Sequence, residues 1–463
     1  MRGLILAAPA SHSGKTMVTL AVMAGLKQKG VMATAGKAGP DYIDPAFHRE
    51  AIGASPIKYS SVNLDPWAMD DGLLGRLMGG GSSGDDGVRI IEGAMGVCDG
   101  GDASTAHLAS RLGLPIVLIL DIRGQAETAA AVALGIQHAL RHAYFTLADA
   151  KQACVSKPAL AGVIVNRYQN RRHYALVAEA LTKANIRLFG GIPQSADLAI
   201  PSRHLGLQQA GELKATGTLT SVLAKLATLA TTHIDLDALV ASAQPITLRP
   251  SQPAPGFPPL GQRIAVADDD AFTFAYPHIL ADWHEAGAEI IPFSPLADSP
   301  PDPKADAVYL PGGYPELYLP RLATNHNFLN GLRGAAKRGA WVYGECGGYM
   351  VLGTSIIDCH GTSHPMAGLL DCATSFAQPK LHLGYRRLQV LDTGKGTHNR
   401  RLPLPPHIRA HEFHYTTAVH ERGTALFAAQ DKNGNALNTK KSTMGLRHGT
   451  VFGSYAHIIA PWV

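Results

Sequence analysis

A short apolar run that ends in an acidic residue, a cysteine and two glycines constrains this chain most strongly. The run 340–343 predicts a buried strand, and Cys346 follows it directly before Gly347 and Gly348. Two glycines let the backbone turn sharply from a strand into a helix and let a substrate approach closely. A thiol near a helix N-terminus is favoured as the thiolate. The segment therefore predicts a nucleophile at Cys346, in preference to a buried structural cysteine.

Two further segments fit around this turn. Gly312 and Gly313 follow the apolar run 307–310, and such a turn can aim a backbone N–H at a developing oxyanion. His457 lies near the C-terminus in the string GSYAH. Cysteine–histidine pairs meet in the fold and not in the sequence, so His457 is a candidate general base. One histidine among 21 carries little weight without Cys346.

Composition narrows the class of protein. The 463 residues are enough for two domains, and 46% hydrophobic with 17% charged residues is ordinary for a soluble α/β protein. The net charge is +5, but aromatic and basic residues are not interleaved. The sequence therefore does not predict a basic surface that binds nucleic acid. Five cysteines without a C-x-x-C pair indicate a reducing, cytoplasmic location. No apolar run approaches the roughly 18 residues of a membrane span.

A proline-rich stretch divides the chain. The segment 246–262 predicts an extended linker, with one domain over 1–245 and a second over 263–463. Both parts alternate short Val, Ile and Leu runs with helical patterns. Runs without polar alternation suit parallel strands that are covered on both faces. The expected fold class is therefore α/β, with two doubly wound parallel-sheet domains.

The first predicted strand runs into a phosphate-binding loop, 8–16 (APASHSGKT). Backbone N–H groups of Ser13, Gly14 and Lys15 would cradle phosphate at the start of the next helix. The Lys15 amine would reach the outer phosphates, and the Thr16 hydroxyl would bind Mg²⁺. Loops of this type usually have glycine where this chain has His12, and histidine tolerates a positive φ better than most residues. Asn166 ends the strand pattern at 162–165 and is a candidate for reading an adenine edge.

Carboxylates follow other strands or turns in the first part. Asp41 and Asp44 lie in the rigid turn GPDYIDP, Asp65 follows at a second turn, and Glu92 ends the run 88–91. Mg²⁺ at phosphoryl-transfer sites binds one or two protein carboxylates together with phosphate oxygens. Glu92 has the strand-end position of a metal-binding acid. For Asp44, a role in forming the turn alone stays open.

The second part resembles the class I glutamine amidotransferases, on the strings PGGYPE, YGECGGYM and GSYAH. The resemblance implies glutamine hydrolysis through a cysteinyl acyl-enzyme, with Cys346 as nucleophile and His457 as general base. It also implies that Gly313 and Gly347 donate their N–H groups to the oxyanion. The family commonly has a glutamate two residues after the histidine. This chain has Ile459 there.

Both parts together resemble the cobyrinic and hydrogenobyrinic acid a,c-diamide synthase family. The resemblance covers nearly the whole chain and is carried by 37–45 (KAGPDYIDP), 92–96 (EGAMG), 203–207 (RHLGL), 311–316 (PGGYPE) and 409–415 (RAHEFHY). It implies ATP- and glutamine-dependent amidation of the c- and a-acetate carboxylates of a corrin, through an acyl phosphate and ammonia. ATP, Mg²⁺, glutamine and a corrin polycarboxylate are the expected ligands. The sequence leaves a homodimer open.

The same resemblance implies a synthetase site. The metal candidates are Thr16, Asp41, Asp65 and Glu92, and the substrate candidates are Tyr42, Asp44, Asp99 and Arg203. Alternatives are a Ni-sirohydrochlorin a,c-diamide synthase, a cobyric acid synthase and a non-catalytic ParA-like ATPase with a degenerate amidotransferase module. The match over 37–48 to members of the aerobic pathway favours the metal-free corrin.

Overall fold

The computed structural model describes residues 1–55, 59–79, 87–142, 157–195, 202–203, 206–249, 251, 256–391, 401–437 and 442–462. The chain divides into two compact units, Met1–Ala254 and Pro255–Val463. Residues 250 and 252–255 of the predicted linker lie outside the described residues, and the exact bounds of the linker stay a prediction. In the described part of the chain, no helix is both long and apolar enough to cross a bilayer.

The first unit alternates strands and helices. Its strands are β1 (Arg2–Ala7), β2 (Ala33–Ala38), β3 (Ser61–Leu64), β4 (Val88–Glu92), β5 (Ile116–Asp121), β6 (Leu160–Tyr168), β7 (Leu188–Pro193), β8 (Ser202–Arg203), β9 (Gly206–Leu207) and β10 (Gln244–Pro245). Its helices are α1 (Lys15–Gln28), α2 (Asp44–Ile52), α3 (Asp71–Met78), α4 (Thr105–Leu112), α5 (Thr128–His142), α6 (Arg171–Lys183), α7 (Ala210–Ala215), α8 (Thr218–His233) and α9 (Leu236–Ala241).

The sheet of this unit has the order β3-β2-β4-β1-β5-β6-β7 with parallel neighbours, and β10 pairs antiparallel with β1. Strand β5 is buried from Ile116 to Leu120 because helices cover both faces of the sheet. Helix α1 packs against α2 and α8 in the core of the unit. The carboxyl ends of β1, β2 and β4 thus meet at one edge, where ligands of open α/β sheets bind.

The second unit contains the remaining elements. Its strands are β11 (Arg263–Ala267), β12 (Glu289–Phe293), β13 (Ala307–Leu310), β14 (Trp341–Glu345), β15 (Ser355–Ile357), β16 (Ser363–Pro365), β17 (Cys372–Ser375), β18 (His382–Val390), β19 (His407–His414), β20 (Thr417–Glu421), β21 (Thr424–Gln430), β22 (Thr443–His448), β23 (Val451–Ser454) and β24 (Ala456–Pro461). Its helices are α10 (Pro277–Glu285), α11 (Leu319–Thr324), α12 (His326–Lys337) and α13 (Gly347–Leu352).

The main sheet of this unit has the order β12-β11-β13-β14-β23-β22-β21-β18-β19-β24. Strands β12, β11, β13, β14 and β23 are parallel, as predicted, and the strands beyond β23 are antiparallel. A small sheet, β16-β15-β17-β20, lies in the same unit. The antiparallel extension ends in β19 and β24, where residue 457 pairs with residue 411, and β19 contacts the Cys346 thiol through the Phe413 carbonyl.

Candidate active sites

The turn at Cys346 has the backbone of a nucleophile elbow. Cys346 lies between β14 and α13 with φ 46° and ψ −108°, a conformation that is costly for a residue with a Cβ. Its N–H donates to the Ser454 carbonyl over 2.8 Å. A Cβ added at Gly348 would lie 2.0 Å from the Leu310 carbonyl oxygen, so only glycine lets α13 pack this closely. The elbow is therefore held by its neighbours on both sides.

The two predicted oxyanion glycines lie next to each other. A Cβ added at Gly347 would lie 3.2 Å from the carbonyl oxygen of Gly313 and 2.7 Å from Pro315 Cδ. At Gly313 an added Cβ would lie 2.0 Å from the Ala271 carbonyl oxygen. Both positions thus require glycine. The turn after β13 and the elbow after β14 together form a backbone cradle beside the thiol, and the oxyanion role of the two N–H groups stays a prediction.

His457 on β24 lies close to Cys346. A Cβ added at Gly312 would lie 2.2 Å from His457 Cε1 and 3.2 Å from Cys346 Cβ, so the imidazole and the cysteine flank the same point. The His457 side chain is buried. The cysteine thiol donates a weak hydrogen bond to the Phe413 carbonyl on β19, at 3.7 Å. The two residues that the sequence pairs as nucleophile and base are thus neighbours in the fold.

Charge in this site is suppressed by burial. Burial, assisted by Glu316, raises the pKa of the Cys346 thiol above its usual value, and the Gly347 N–H opposes this only in part. Burial, together with His411 and His414, lowers the pKa of His457 to about 3. The expected dipole-stabilised thiolate is therefore not the resting form. A neutral thiol faces a neutral imidazole, which can accept the thiol proton during attack.

A carboxylate that the sequence interpretation left without a role lies beside the imidazole. Glu345 Oε2 is 3.9 Å from His457 Nδ1, and both side chains are 1% exposed. The carboxylate accepts hydrogen bonds from Tyr309 (2.9 Å), Tyr343 (2.8 Å) and the Ile458 N–H (3.2 Å). Burial raises the pKa of Glu345 to about 7, against these hydrogen bonds. An acid at the end of a buried strand was the only sequence signal for it.

A second polar cluster lies on β18 and β19. Ligand atoms of His382, Glu412 and His414 lie within 4.8 Å of one another. The rings of His382 and His414 are stacked, with 9° between their planes, so their in-plane lone pairs do not converge on one ion. Arg386 contacts the Glu412 carboxylate over 2.6 Å. This geometry is that of an ion-pair network and not of a metal centre.

The phosphate-binding loop begins α1 with a glycine that nothing else could replace. Gly14 has φ 81°, and a Cβ there would lie 2.3 Å from Asn166 Nδ2. Asn166 donates to the Ser13 carbonyl over 3.0 Å. His12 has φ 63°, the left-handed conformation that the sequence anticipates, and its carbonyl accepts from Arg167 over 3.2 Å. The end of β6 thus supports the loop. Reading of adenine by Asn166 stays a prediction.

Lys15 and Thr16, the last two residues of the loop, point to the end of β4. The Lys15 ammonium donates to the carbonyls of Ala10 (3.2 Å) and Met95 (2.6 Å). The Thr16 hydroxyl donates to Glu92 over 2.7 Å and lies 3.5 Å from Asp44 Oδ2. Burial, together with Lys37, lowers the pKa of Lys15. These contacts gather the loop and two of the predicted acids at one edge of the sheet.

Lys37, at the end of β2, lies at the centre of this acidic cluster. Its ammonium is 2.5 Å from Asp44, 3.0 Å from Glu92 and 3.7 Å from Asp41. Burial acts to lower the pKa of Lys37, but Asp44, Glu92 and Asp41 outweigh it and hold the pKa well above its ordinary value.

The same contacts set the protonation of the acids. Burial acts to raise the pKa of Glu92, yet Lys37 and His48 lower it to about 2. His48 contacts the second Glu92 oxygen over 2.8 Å. Glu92 is thus an ionised carboxylate between two side chains, Lys37 and His48, that the sequence interpretation left without a role. A lysine four and seven residues before two acids was the sequence signal available for Lys37.

Burial, with Asp44, raises the pKa of Asp41, whose Oδ1 accepts from the N–H groups of Ile43 (2.8 Å) and Asp44 (3.1 Å). Tyr42 lies half-buried in this turn. Asp65 Oδ1 accepts from Trp67 N (3.0 Å) and Ala68 N (2.7 Å), so it shapes the turn after β3.

Two substrate candidates lie at the margin of this site. Asp99 Oδ2 accepts from the Gly96 N–H over 3.0 Å, and the Asp99 carboxylate opposes in small part the lowering of the Lys15 pKa by burial and Lys37. Arg203 belongs to β8, and its side chain lies outside the described residues.

The donor set at Thr16 suits a hard divalent cation. The Thr16 hydroxyl lies within 3.5 Å of both the Glu92 and the Asp44 carboxylates, and oxygen atoms are the ligands that Mg²⁺ prefers. Lys37 balances the negative charge of these acids in the protein itself. The residues present therefore fit a magnesium ion bound with the phosphates of a nucleotide.

Each of the two units matches a known family of domains. Residues 4–207 match the CobQ/CobB/MinD/ParA nucleotide binding domain, and residues 263–461 match the CobB/CobQ-like glutamine amidotransferase domain. The predicted class of two α/β domains is thus confirmed. The chain is a nucleotide-binding domain joined to a glutamine amidotransferase domain.

Full-length relatives narrow this class. The chain is 44% identical to hydrogenobyrinate a,c-diamide synthase of Brucella suis, over 99% of this chain and 98% of the relative. It is 43% identical to the proteins of that name from Rhodobacter capsulatus and Rhizobium meliloti, over 99% of both chains in each case. The chain belongs to the hydrogenobyrinate a,c-diamide synthase family.

Proposed function

We propose that this protein amidates the a- and c-acetate carboxylates of hydrogenobyrinic acid, with ATP and glutamine as co-substrates. The observation that carries the proposal is the presence of two candidate sites in one chain. One joins a phosphate-binding loop to a buried acid cluster, and the other joins an elbow cysteine to a buried histidine. Relatives over the full length bear this activity in their name.

The first unit would activate the carboxylate. A carboxylate is a poor electrophile, so its oxygen attacks the γ-phosphorus of ATP and ADP leaves. Gly14, Lys15 and Ser13 bind the phosphates, and Thr16, Glu92 and Asp44 would hold Mg²⁺, which neutralises phosphate charge when bound. Lys37 keeps Glu92 ionised for this role. Tyr42, Asp41, Asp99, Asp65 and Arg203 remain candidates for positioning the corrin or the metal.

The second unit would supply ammonia. The Cys346 sulfur attacks the side-chain amide carbon of glutamine while the thiol proton passes to His457. The imidazolium then returns the proton to the leaving nitrogen, the C–N bond breaks, and water hydrolyses the thioester to glutamate. Gly313 and Gly347 are the proposed donors to the oxyanion. Ammonia attacks the acyl phosphate, and phosphate leaves as the amide forms.

The finer assignments belong to the same proposal. Mg²⁺ is the proposed metal because the donor set consists of oxygen atoms. A cytoplasmic location follows from the odd cysteine count and from the substrates, and a homodimer is the proposed assembly to be tested by light scattering. Neither nucleic acid nor a membrane is a proposed partner.

The test is amidation of purified corrins. Hydrogenobyrinic acid, cobyrinic acid and Ni-sirohydrochlorin are incubated separately with the protein, ATP, Mg²⁺ and glutamine, and the products are identified by mass spectrometry. Formation of a diamide from hydrogenobyrinic acid supports the proposal. Turnover of Ni-sirohydrochlorin alone favours the nickel-tetrapyrrole alternative. ATP hydrolysis without glutaminase activity favours a ParA-like ATPase.

A further inference from the structure

The imidazole of His457 lies beside a carboxylate from another strand. Glutamine amidotransferases of the triad type commonly place a glutamate two residues after the histidine, where this chain has Ile459. We propose that Glu345 is the positioning residue of this site. Its carboxylate accepts the Nδ1 proton of His457 and thereby leaves the Nε2 lone pair free for the Cys346 thiol proton.

The Glu345 carboxylate is held in place before any substrate binds. Tyr343 and the Ile458 N–H donate to Oε1, and Tyr309 donates to Oε2, the oxygen that lies nearer to His457. The bond to Ile458 also ties the carboxylate to the residue directly after the histidine. Donors on three sides keep the acid from rotating away, as a positioning group requires.

The distance between the two groups fits a bond that tightens during catalysis. At 3.9 Å, Oε2 and Nδ1 are too far apart for a hydrogen bond, but a small rotation of the imidazole would close the gap. Catalytic hydrogen bonds are often long in ligand-free sites and shorten in the reacting complex. Glu345 also directly precedes the nucleophile, so the carboxylate and the thiol are carried by the same end of β14.

Electrostatics supply the reason for a carboxylate at this position. His457 is buried, and proton transfer from Cys346 creates an imidazolium with little access to water. Burial opposes that charge, with His411 and His414, and lowers the pKa of His457. A carboxylate next to Nδ1 compensates the positive charge where it develops. The buried Glu345 ionises close to neutral pH, so it is available for this role under ordinary conditions.

This assignment rests on the proposed glutaminase activity, and the experiment separates the two. Glutaminase kinetics are measured for the wild type and for Glu345→Gln from about pH 5.5 to about pH 9. This range brackets the Glu345 pKa of about 7. The wild-type kcat is expected to rise with an apparent pKa near 7, and E345Q to lose this limb. A fall in kcat of roughly 100-fold or more is expected, with little change in KM.

Two further variants accompany E345Q. Glu421→Gln alters another acid that accepts from a tyrosine, Tyr349 at 2.6 Å, and should keep the wild-type rate. A wild-type circular-dichroism spectrum shows that E345Q is folded. Tyr343→Phe keeps the carboxylate but removes one donor, so its acid limb should move to higher pH.

An E345Q enzyme with the wild-type kcat and pH profile would overturn the assignment. If E345Q fails to fold, an unmoved limb in Tyr343→Phe overturns it instead. A wild type without glutaminase activity contradicts the proposed function and not the placement of Glu345.

Discussion

The hydroxyl of Thr16 donates a hydrogen bond of 2.7 Å to the carboxylate of Glu92. This contact joins the first turn of α1 to the carboxyl end of β4, and the same Glu92 oxygen lies 3.0 Å from the Lys37 ammonium. A single carboxylate thus connects the phosphate-binding loop with the acidic cluster. Altering this carboxylate should therefore disrupt the phosphate-binding loop and the acidic cluster together.

Glu92→Gln should stop amidation with either nitrogen source. The amide cannot supply the negative charge that Thr16, Lys37 and a bound metal share, and we expect a loss of roughly 100-fold or more. Glutaminase activity should remain, because Cys346 and His457 belong to the other unit. The matched control is Glu179→Gln, which alters an exposed acid paired with Lys183. Amidation at the wild-type rate by E92Q would refute the role of Glu92.

Cys346→Ala should remove glutamine-dependent amidation and leave ammonia-dependent amidation intact. The methyl group cannot form the thioester, whereas free ammonia needs no glutaminase. Rates with glutamine and with ammonium salts are compared by product mass. Cys359→Ala, at an exposed free cysteine, should behave as the wild type in both assays. Loss of both activities in a folded C346A protein would remove Cys346 from its proposed role.

Gly14→Ala should abolish ATP binding through two distinct costs. Alanine at this position would have to adopt φ 81°, which is unfavourable for a residue with a Cβ. Its methyl group would also lie 2.3 Å from Asn166 Nδ2. Gly30→Ala is the matched control, because Gly30 has φ 72° and nothing within 4 Å of the added atom. It should cost about 1 kcal/mol of stability and leave ATP affinity unchanged. Equal ATP affinities for both variants, measured by calorimetry, would contradict the loop assignment.

Glu345→Gln should change how stability depends on pH. The pKa of Glu345 is raised from its ordinary 4.5 to about 7 by burial. A carboxyl with a raised folded-state pKa contributes stability that is complete below the unfolded value and is lost as pH rises through the folded value. The wild type should therefore lose roughly 3 kcal/mol between pH 4.5 and 8 that E345Q retains. If thermal denaturation shows that the stability of the two proteins changes equally with pH across this range, the raised pKa of Glu345 is contradicted.

Local signals in the sequence predicted the two turns at the centre of the sites. The phosphate-binding loop depends on Gly14, and the strand–cysteine–glycine elbow depends on Gly348. Neighbouring atoms leave no room for a Cβ at either position. The carboxyl ends of parallel strands meet at one edge, so the approach of Glu92 to Thr16 was also predictable.

Other features depend on contacts between distant segments. The neutral resting thiol of Cys346 follows from burial, which the sequence does not display and which outweighs the helix dipole. Lys37 meets Glu92 only through the register of β2 beside β4. Glu345 reaches His457 only because β14 and β23 pair and β24 follows them. The hydrophobic pattern of the antiparallel strands beyond β23 does not distinguish them from parallel strands that are covered on both faces.

The most direct test of the account is the product of a single incubation. Purified protein is mixed with hydrogenobyrinic acid, ATP, Mg²⁺ and isotopically labelled glutamine that carries ¹⁵N in its side-chain amide. The account predicts two successive products, a monoamide and then a diamide, each carrying the label, and neither forms without ATP. Unaltered hydrogenobyrinic acid in the presence of active glutaminase and ATP would contradict the proposed function.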